Sequence, residues 1–306
     1  MRNKFIETLS RLVEKNKEII LLTGDLGFGV FDEFSKIFPE NFINVGVAEQ
    51  NMTGIASGLA LEKKIVFTYS IANFSTLRCL EQIRNSACYH DLNVNVVSIG
   101  GGFSYGPLGI SHHATEDLSI MRSLPNIKVI SPSTLIEVEK VTELIVEDKG
   151  TTYLRLDKSF GEDRCNDFNN FSLGKARMLS EGTDCTIFVT GGILEEVWKV
   201  YDELQKKGYK IRVVSVPTIK PLDKEVIKNA CNETGGIICV EENTLDGGLG
   251  SAVGELILDF SYNIKKFLRI GLKSQFSSIV GSQSYLRKKY NLDSTYIAQS
   301  IIELLK

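Results

Sequence analysis

Glu49 is the carboxylate of this 306-residue chain whose surroundings most favour chemistry. It follows an apolar stretch, residues 42–47, that predicts a short buried strand, and it begins a predicted helix rich in small residues at positions 54–60. A carboxylate at such a junction is largely desolvated, so it must find a strong hydrogen-bond donor or take up a proton. The alternative is an ordinary helix N-terminal glutamate that satisfies backbone N–H groups.

Two of the three histidines, His112 and His113, are adjacent at a predicted loop-to-helix boundary. Neighbouring residues on a helix diverge by about 100°, so the pair makes a poor metal site. One histidine acting as a proton donor or acceptor is the better interpretation. The alternative is that Ser111 or Thr115 caps the helix beside exposed histidines.

Phe74 lies in a stretch, residues 69–74, that follows a predicted strand and therefore reaches the carboxyl edge of a sheet, where α/β proteins bind ligands. Its ring can stack on a flat ligand or fill the core. A glycine-rich turn at 247–251 opens a later predicted helix. That turn lacks the P-loop lysine and the full dinucleotide fingerprint, which favours a structural turn over a phosphate site.

Strand and helix patterns alternate along the chain, which predicts an α/β fold with mainly parallel sheets. Predicted strands are 18–23, 65–68, 94–99, 128–130, 152–156, 185–189, 211–216 and 236–240, and one predicted helix covers 77–87. Residues 161–174 are polar and rich in turn formers, so we interpret them as a linker. Two successive α/β domains result, at 1–160 and 175–306.

Composition excludes several classes of protein. The chain is 43% hydrophobic with a net charge of −3, and it has no basic face that favours nucleic acid. No apolar run is long enough to cross a membrane, and no signal-peptide core occurs at the N-terminus, so we expect a cytoplasmic protein. The six cysteines lack CxxC spacing, which argues against a zinc site or a disulfide framework.

The ordered set of motifs resembles the thiamine-diphosphate enzymes of the transketolase type. Specifically, the chain resembles their carboxyl-terminal half, a pyrimidine-binding domain followed by a transketolase C-terminal domain, which split transketolases carry as a separate subunit. The matching stretches are 25–26, 44–52, 74–85, 111–117, 121–126, 131–133, 217–223 and 241–252.

The resemblance implies roles for individual residues. Glu49 would hydrogen-bond the aminopyrimidine ring of thiamine diphosphate and promote its imino tautomer, while Phe74, supported by Tyr69, would stack on that ring. His112 would face the substrate as the second catalytic residue. Asp25 would lie near the cofactor.

The implied activity is transfer of a two-carbon ketol unit from a ketose or ketose phosphate to an aldose. Arg2 and Lys158, with Arg155 close by, occupy places where related enzymes carry cationic phosphate ligands. The sequence departs from ordinary transketolase at 107–109, where an acidic residue that reads a sugar hydroxyl is missing, and around Gly100, where a histidine is often found. The acceptor sugar is therefore expected to differ from those of ordinary transketolase.

The resemblance also implies a partner. The amino-terminal pyrophosphate domain, whose Gly-Asp-Gly motif holds Mg²⁺ and the diphosphate, is not found in this sequence, so a second subunit must supply it and this chain holds no metal. We expect a homodimer when the chain is alone and a heterotetramer with that subunit.

Three alternatives stay open at this point. The first is the beta subunit of a 2-oxo-acid dehydrogenase, which the Asn73-Phe74-Ser75 sequence supports. The second is an enzyme like deoxyxylulose-phosphate synthase. The third is a catalytically silent scaffold subunit that keeps the fold.

Overall fold

The computed structural model describes residues 1–27, 29–159, 161–165 and 171–306. The strands are β1 (Ile19–Thr23), β2 (Phe42–Asn44), β3 (Ile65–Ile71), β4 (Val94–Ile99), β5 (Ile127–Ile130), β6 (Thr151–Leu156), β7 (Arg177–Ser180), β8 (Cys185–Val189), β9 (Ile211–Ser215), β10 (Thr218–Lys220), β11 (Ile237–Thr244) and β12 (Phe267–Leu272). The α-helices are α1 (Arg2–Lys15), α2 (Asp32–Ile37), α3 (Glu49–Leu61), α4 (Ala72–Ser75), α5 (Leu80–Gln82), α6 (Asp117–Ser123), α7 (Leu135–Glu147), α8 (Leu194–Lys206), α9 (Lys224–Glu233), α10 (Leu249–Asp259), α11 (Gln283–Lys289) and α12 (Ser294–Leu305).

Seven strands form the first sheet, in the order β10-β5-β6-β4-β3-β1-β2. All neighbours are parallel except β10, which pairs antiparallel with β5. Every residue of β1, β4 and β6 is buried, because helices cover both faces. Strands buried on both sides favour apolar side chains, which is why β1 is almost continuously apolar in the sequence, whereas β4 and β6 also bury polar residues.

Five strands form the second sheet, in the order β12-β11-β8-β9-β7, with only β7 antiparallel. Separate apolar clusters fill its two faces, one around Trp198 and Leu286 and the other around Phe188 and Leu249. The predicted fold class, two α/β units with mainly parallel sheets, is confirmed. Among the described residues, no helix is long and apolar enough to cross a membrane.

Two local predictions were wrong. The strand predicted at 42–47 ends at Asn44, and Val47 is 76% exposed. The helix predicted at 77–87 is instead the short α5 followed by a π-helical turn, Ile83–Cys88. In both places polar contacts of the folded chain override the local apolar pattern.

One strand crosses between the two halves of the chain. β10 follows the predicted linker, 161–174, in sequence, yet it completes the first sheet by pairing with β5. The second half of the chain therefore contributes an edge to the first sheet. Residues 166–170 of the predicted linker lie outside the described part of the chain.

A buried ionic network joins the two sheets. The Arg155 guanidinium donates to an Asp117 carboxylate oxygen at 3.2 Å and to the Glu242 backbone oxygen at 2.9 Å. The Glu242 carboxylate accepts bonds from the Phe103 N–H at 2.7 Å and from Arg287 Nε at 2.8 Å. Because buried charges are costly unless paired, this network fixes the second sheet against the loop that follows β4.

Candidate active site

Glu49 is the first residue of α3 and is only 2% exposed. Its position at a helix N-terminus favours a negative charge there. The end of β1 lies directly against it, since a Cβ atom added to Gly24 would approach the Glu49 Cγ atom to 3.4 Å. The buried carboxylate predicted from the sequence is therefore present.

Arg78 is the ionic partner of Glu49. Its Nη1 atom lies 2.6 Å from Glu49 Oε2, and its side chain is 45% exposed. The same guanidinium lies over the Phe74 ring, 4.6 Å from the ring centroid. A buried carboxylate and a half-buried aromatic ring are thus bridged by one flat cation that is accessible to solvent.

His112 lies on the other side of Phe74. The two rings meet edge to face, with their centroids 5.1 Å apart. The imidazole Nδ1 atom lies 2.9 Å from the Ser111 hydroxyl oxygen. Partial burial, with the neighbouring His113, lowers the pKa of His112 below its ordinary 6.5. The side chain is therefore a neutral imidazole at pH 7, able to accept a proton.

A cavity of about 600 Å³ contains two of the predicted phosphate ligands, Arg2 and Lys158. Lys158 lies over the Tyr105 ring, with Nζ 3.6 Å from the centroid, and Tyr105 in turn lies 6.0 Å from the His112 ring. Burial and the Arg2 charge lower the pKa of Lys158. Two cations held close together on one cavity wall are a favourable place for an anion.

The cavity also has acidic residues, Glu7 and Asp157, on its wall. Glu7 pairs with Lys4 at 3.1 Å, and Asp157 accepts a hydrogen bond from Arg155 at 3.5 Å. Both carboxylates therefore already have a cationic partner, although Arg155 is shared between Asp157 and Asp117.

Two predicted site residues, Arg155 and Tyr69, lie elsewhere, whereas Asp25 stays close to Glu49. Arg155 is 2% exposed and is occupied in the buried network, so it does not face the cavity as predicted. Tyr69 packs in the core, edge to face with Phe31 at 4.7 Å, because β3 is buried on both faces. Asp25 is exposed one residue after Gly24, with a left-handed backbone (φ 58°) and its N–H bonded to Asn44 at 3.0 Å.

The glycine-rich turn at 247–251 is structural. The Leu249 and Gly250 N–H groups at the start of α10 both donate to the buried Glu241 carboxylate at 2.8 Å. These are the donors that a phosphate would need. The structural interpretation of the turn is therefore correct.

Among the described residues, no group of three or more His, Cys, Asp or Glu side chains is placed to hold a metal ion. The site therefore consists of a carboxylate, a stacking ring, a neutral imidazole and a cationic cavity. The chain of contacts runs from Glu49 to Phe74 through Arg78, and from Phe74 to His112 and on to Lys158 through Tyr105.

Known families match both halves of the chain. The transketolase pyrimidine-binding domain matches residues 1–162, and the transketolase C-terminal domain matches residues 174–297. The chain belongs to the transketolase family. The resemblance stated from the sequence motifs is thereby confirmed.

Several relatives match over their whole length. A transketolase C-terminal section of Methanocaldococcus jannaschii is 39% identical, over 100% of this chain and 96% of the relative. One of the subunits of the apulose-4-phosphate transketolase of Phocaeicola vulgatus is 34% identical, over 100% of this chain and 97% of the relative. A solved structure of a split-gene transketolase, an inactive beta4 tetramer, superposes with a TM-score of 0.90 at 32% identity, over 99% and 97% of the two chains.

The sequence analysis missed two residues of this transketolase site. Arg78 was noted only as part of a family motif, although it bonds Glu49, and Tyr105 was not singled out as the link between Lys158 and His112. A signal for Arg78 was present in the sequence, since a buried carboxylate requires a donor and arginine is the usual partner. No comparable signal identifies Tyr105.

Proposed function

We propose that this chain is the pyrimidine-binding subunit of a two-component transketolase, which transfers a two-carbon ketol unit from a ketose to an aldose with thiamine diphosphate as cofactor. One observation carries the proposal: Arg78 bridges the Glu49 carboxylate, 2% exposed, and the Phe74 ring, and His112 is against the same ring.

The residues at Glu49 fit an aminopyrimidine. Arg78 already makes the two contacts that such a ring needs, because its flat cationic group donates to Glu49 and lies over Phe74. A protonated aminopyrimidine is likewise flat and offers an N–H donor. Arg78 is partly exposed, so its own charge stays in solvent when it moves aside, and the N–H donor of the ring would take its place at the buried Glu49 carboxylate.

Thiamine diphosphate, when bound, supplies a carbon nucleophile and an electron sink for the cleavage of a carbon–carbon bond. Glu49 holds the ring in orientation and stabilises positive charge on it. Phe74 fixes the plane of the ring. His112, being neutral, accepts a proton from a substrate hydroxyl through its ring nitrogen and returns it later.

The cavity next to His112 supports an anionic substrate. Arg2 and Lys158 would hold the phosphate of a sugar phosphate, with Tyr105 positioning Lys158. The relative from Phocaeicola vulgatus is named for apulose-4-phosphate, which is also a phosphorylated sugar. The stretch 107–109, with its exposed Leu108, has no acidic residue where ordinary transketolases carry one, which supports an acceptor other than the usual ones.

The missing half of the site belongs to a partner. We propose that an amino-terminal subunit provides the Mg²⁺ and diphosphate site, so that two copies of each chain form a heterotetramer. The predicted homodimer of the isolated chain stays a prediction. The solved split-gene relative is an inactive tetramer of beta chains, not a dimer. Like our prediction for this chain, that relative self-associates without being active.

The test is reconstitution. The chain is co-expressed with a candidate amino-terminal subunit, and ketose-to-aldose transfer is measured with thiamine diphosphate and Mg²⁺. We expect transfer from the mixture only. Oxidation of a 2-oxo acid in the presence of a lipoyl partner would favour the dehydrogenase alternative, and cofactor binding without any turnover would favour the scaffold.

A further inference from the structure

The Asn73 amide ties the segment that carries His112 to the end of the first sheet. Asn73 Nδ2 lies 2.8 Å from the backbone oxygen of His113, 3.3 Å from that of Ser111 and 3.4 Å from that of Ile110. Three carbonyl oxygens therefore converge on one amide group. An amide nitrogen carries two hydrogens and suits such a cluster, whereas an acceptor in its place would be repelled.

Asn73 is attached firmly on its other side. It belongs to α4, which follows β3 without a loop, so its backbone is fixed by the sheet. Within α4 the Ser75 hydroxyl lies 2.6 Å from the Ser98 hydroxyl of β4, and the Thr76 hydroxyl that follows donates to the Ala72 oxygen at 2.6 Å. The Thr76 bond holds α4 together, and movement of α4 relative to the sheet would break the buried Ser75–Ser98 contact.

The neighbouring anchors of the loop do not fix His112 itself. His113 Nε2 bonds the Gly106 oxygen at 3.0 Å, and Ala114 pairs with Gly102 through bonds of 2.7 and 3.0 Å. Both anchors hold the segment on its C-terminal side. The His112 N–H donates to the Gly109 oxygen, which lies within the same loop.

We propose that Asn73 is a positioning residue for the transferase reaction: its amide clamps the segment 110–113 so that the His112 imidazole stays against Phe74. The inference rests on the proposed function, in which Phe74 carries the cofactor ring and His112 faces the substrate. Asn73 precedes Phe74 directly, so one short helix sets the distance between the two groups.

The groups that surround His112 determine its pKa, which is the quantity to measure. They are Ser111 at 2.9 Å, the Tyr105 and Phe74 rings, His113, and Arg78 beyond the Phe74 ring. Release of the loop would move the imidazole into water and away from these groups. Its pKa would then shift up towards the ordinary value, because partial burial is what lowers it.

The experiment uses the isolated chain first. The chain has only three histidines, so NMR titration with isotope-labelled histidine resolves each one, with His90→Gln and His112→Gln for assignment. We expect Asn73→Ala to raise the pKa of His112 and to leave that of His90 unchanged. Asn93→Ala is the matched control, because it also removes an amide-to-carbonyl bond, to Asp148 at 3.3 Å, but far from the site.

The second arm uses the complex reconstituted with the amino-terminal subunit. Asn73→Ala and the isosteric Asn73→Asp, which keeps the shape but loses the donor, should each lower kcat about 10-fold or more, with the Kd of thiamine diphosphate changed by less than about threefold. A change in the Kd of thiamine diphosphate with kcat preserved would show that Asn73 positions Phe74 and not His112, and it would overturn the proposal.

Unchanged His112 titration and unchanged kcat in both variants would also overturn it. The NMR titration needs no turnover, so it tests the Asn73 clamp independently of the proposed transketolase function. A raised His112 pKa in Asn73→Ala, together with a wild-type complex that transfers no ketol unit, would support the clamp while refuting the proposed function.

Discussion

At the scale of single residues, the proposed function assigns the chemistry to Glu49, because it is a buried carboxylate paired with a partly exposed arginine. We expect Glu49→Gln to fold normally in the reconstituted enzyme and to lower activity about 100-fold or more, since an amide does not stabilise positive charge on the cofactor ring. Hydrogen–deuterium exchange at the reactive carbon of the cofactor measures the step directly. Glu62→Gln, at the exposed end of α3, is the control, and wild-type exchange in Glu49→Gln would refute the assignment.

Phe74 and His112 separate binding from turnover. Phe74→Ala should weaken cofactor affinity by about 0.5 to 1.5 kcal/mol, the contribution of a stacking partner beyond burial. His112→Ala should lower turnover and leave cofactor affinity unchanged. Calorimetric titration of the cofactor into each reconstituted variant checks both. Loss of cofactor binding in a folded His112→Ala complex would show that the histidine has another role.

The pH dependence follows from His112. Its pKa is lowered, so the neutral form that accepts a proton persists as pH falls from 7 past the ordinary 6.5. The acidic limb of the kcat profile should therefore have its inflection below pH 6.5, and His112→Gln should remove that limb. A limb centred above pH 6.5, or one that survives the substitution, would contradict the role.

At the scale of elements, the loop after β4 is held by close packing at Gly101. A Cβ atom there would overlap the Arg155 side chain within its buried ion pairs. We expect Gly101→Ala to lower the free energy of unfolding of the isolated chain by about 3 kcal/mol or more, as breaking a buried pair does. Denaturant unfolding measures this change.

Gly58 provides the matched control for that prediction. It lies within α3, and a Cβ atom added there meets nothing within 4 Å. Gly58→Ala should therefore raise the free energy of unfolding by about 0.5 to 1 kcal/mol through helix propensity. Equal stability of the two variants would show that the loop is not packed as described.

Elements were predictable where one physical cause dominates. Strands buried on both faces, such as β1 and β4, are mostly apolar, and α3 follows from its run of small and apolar residues. The helix predicted at 77–87 failed because tertiary bonds override local pattern: Arg78 turns towards Glu49, and a π-helical turn follows. The apolar pattern of a sequence indicates which residues are buried, but it does not indicate which polar side chains form hydrogen bonds with each other.

The site was predictable to a similar extent. Glu49, Phe74 and His112 were found, and the structure brings them together. Arg155 was misplaced because sequence proximity to Lys158 does not reveal direction, and adjacent positions of a strand end point to opposite sides. Arg78 and Asn73 act through contacts with groups that are distant in sequence, so neither shows as a motif by itself.

At the scale of the whole molecule, the proposed function makes this chain half of an active site. In that proposal it offers a place for the pyrimidine ring and for an anionic sugar, while the described residues include no cluster suited to a metal ion. The metal-bridged diphosphate supplies most of the charge-assisted affinity of such a cofactor. Tight binding and turnover should therefore require the amino-terminal subunit.

The measurement that tests this account most directly is calorimetric titration of thiamine diphosphate with Mg²⁺ into the chain alone and into its complex with the amino-terminal subunit, with a transfer assay on both samples. We predict micromolar binding and ketol transfer in the complex, and neither in the chain alone. Micromolar binding together with full transferase activity from this chain by itself would contradict the account.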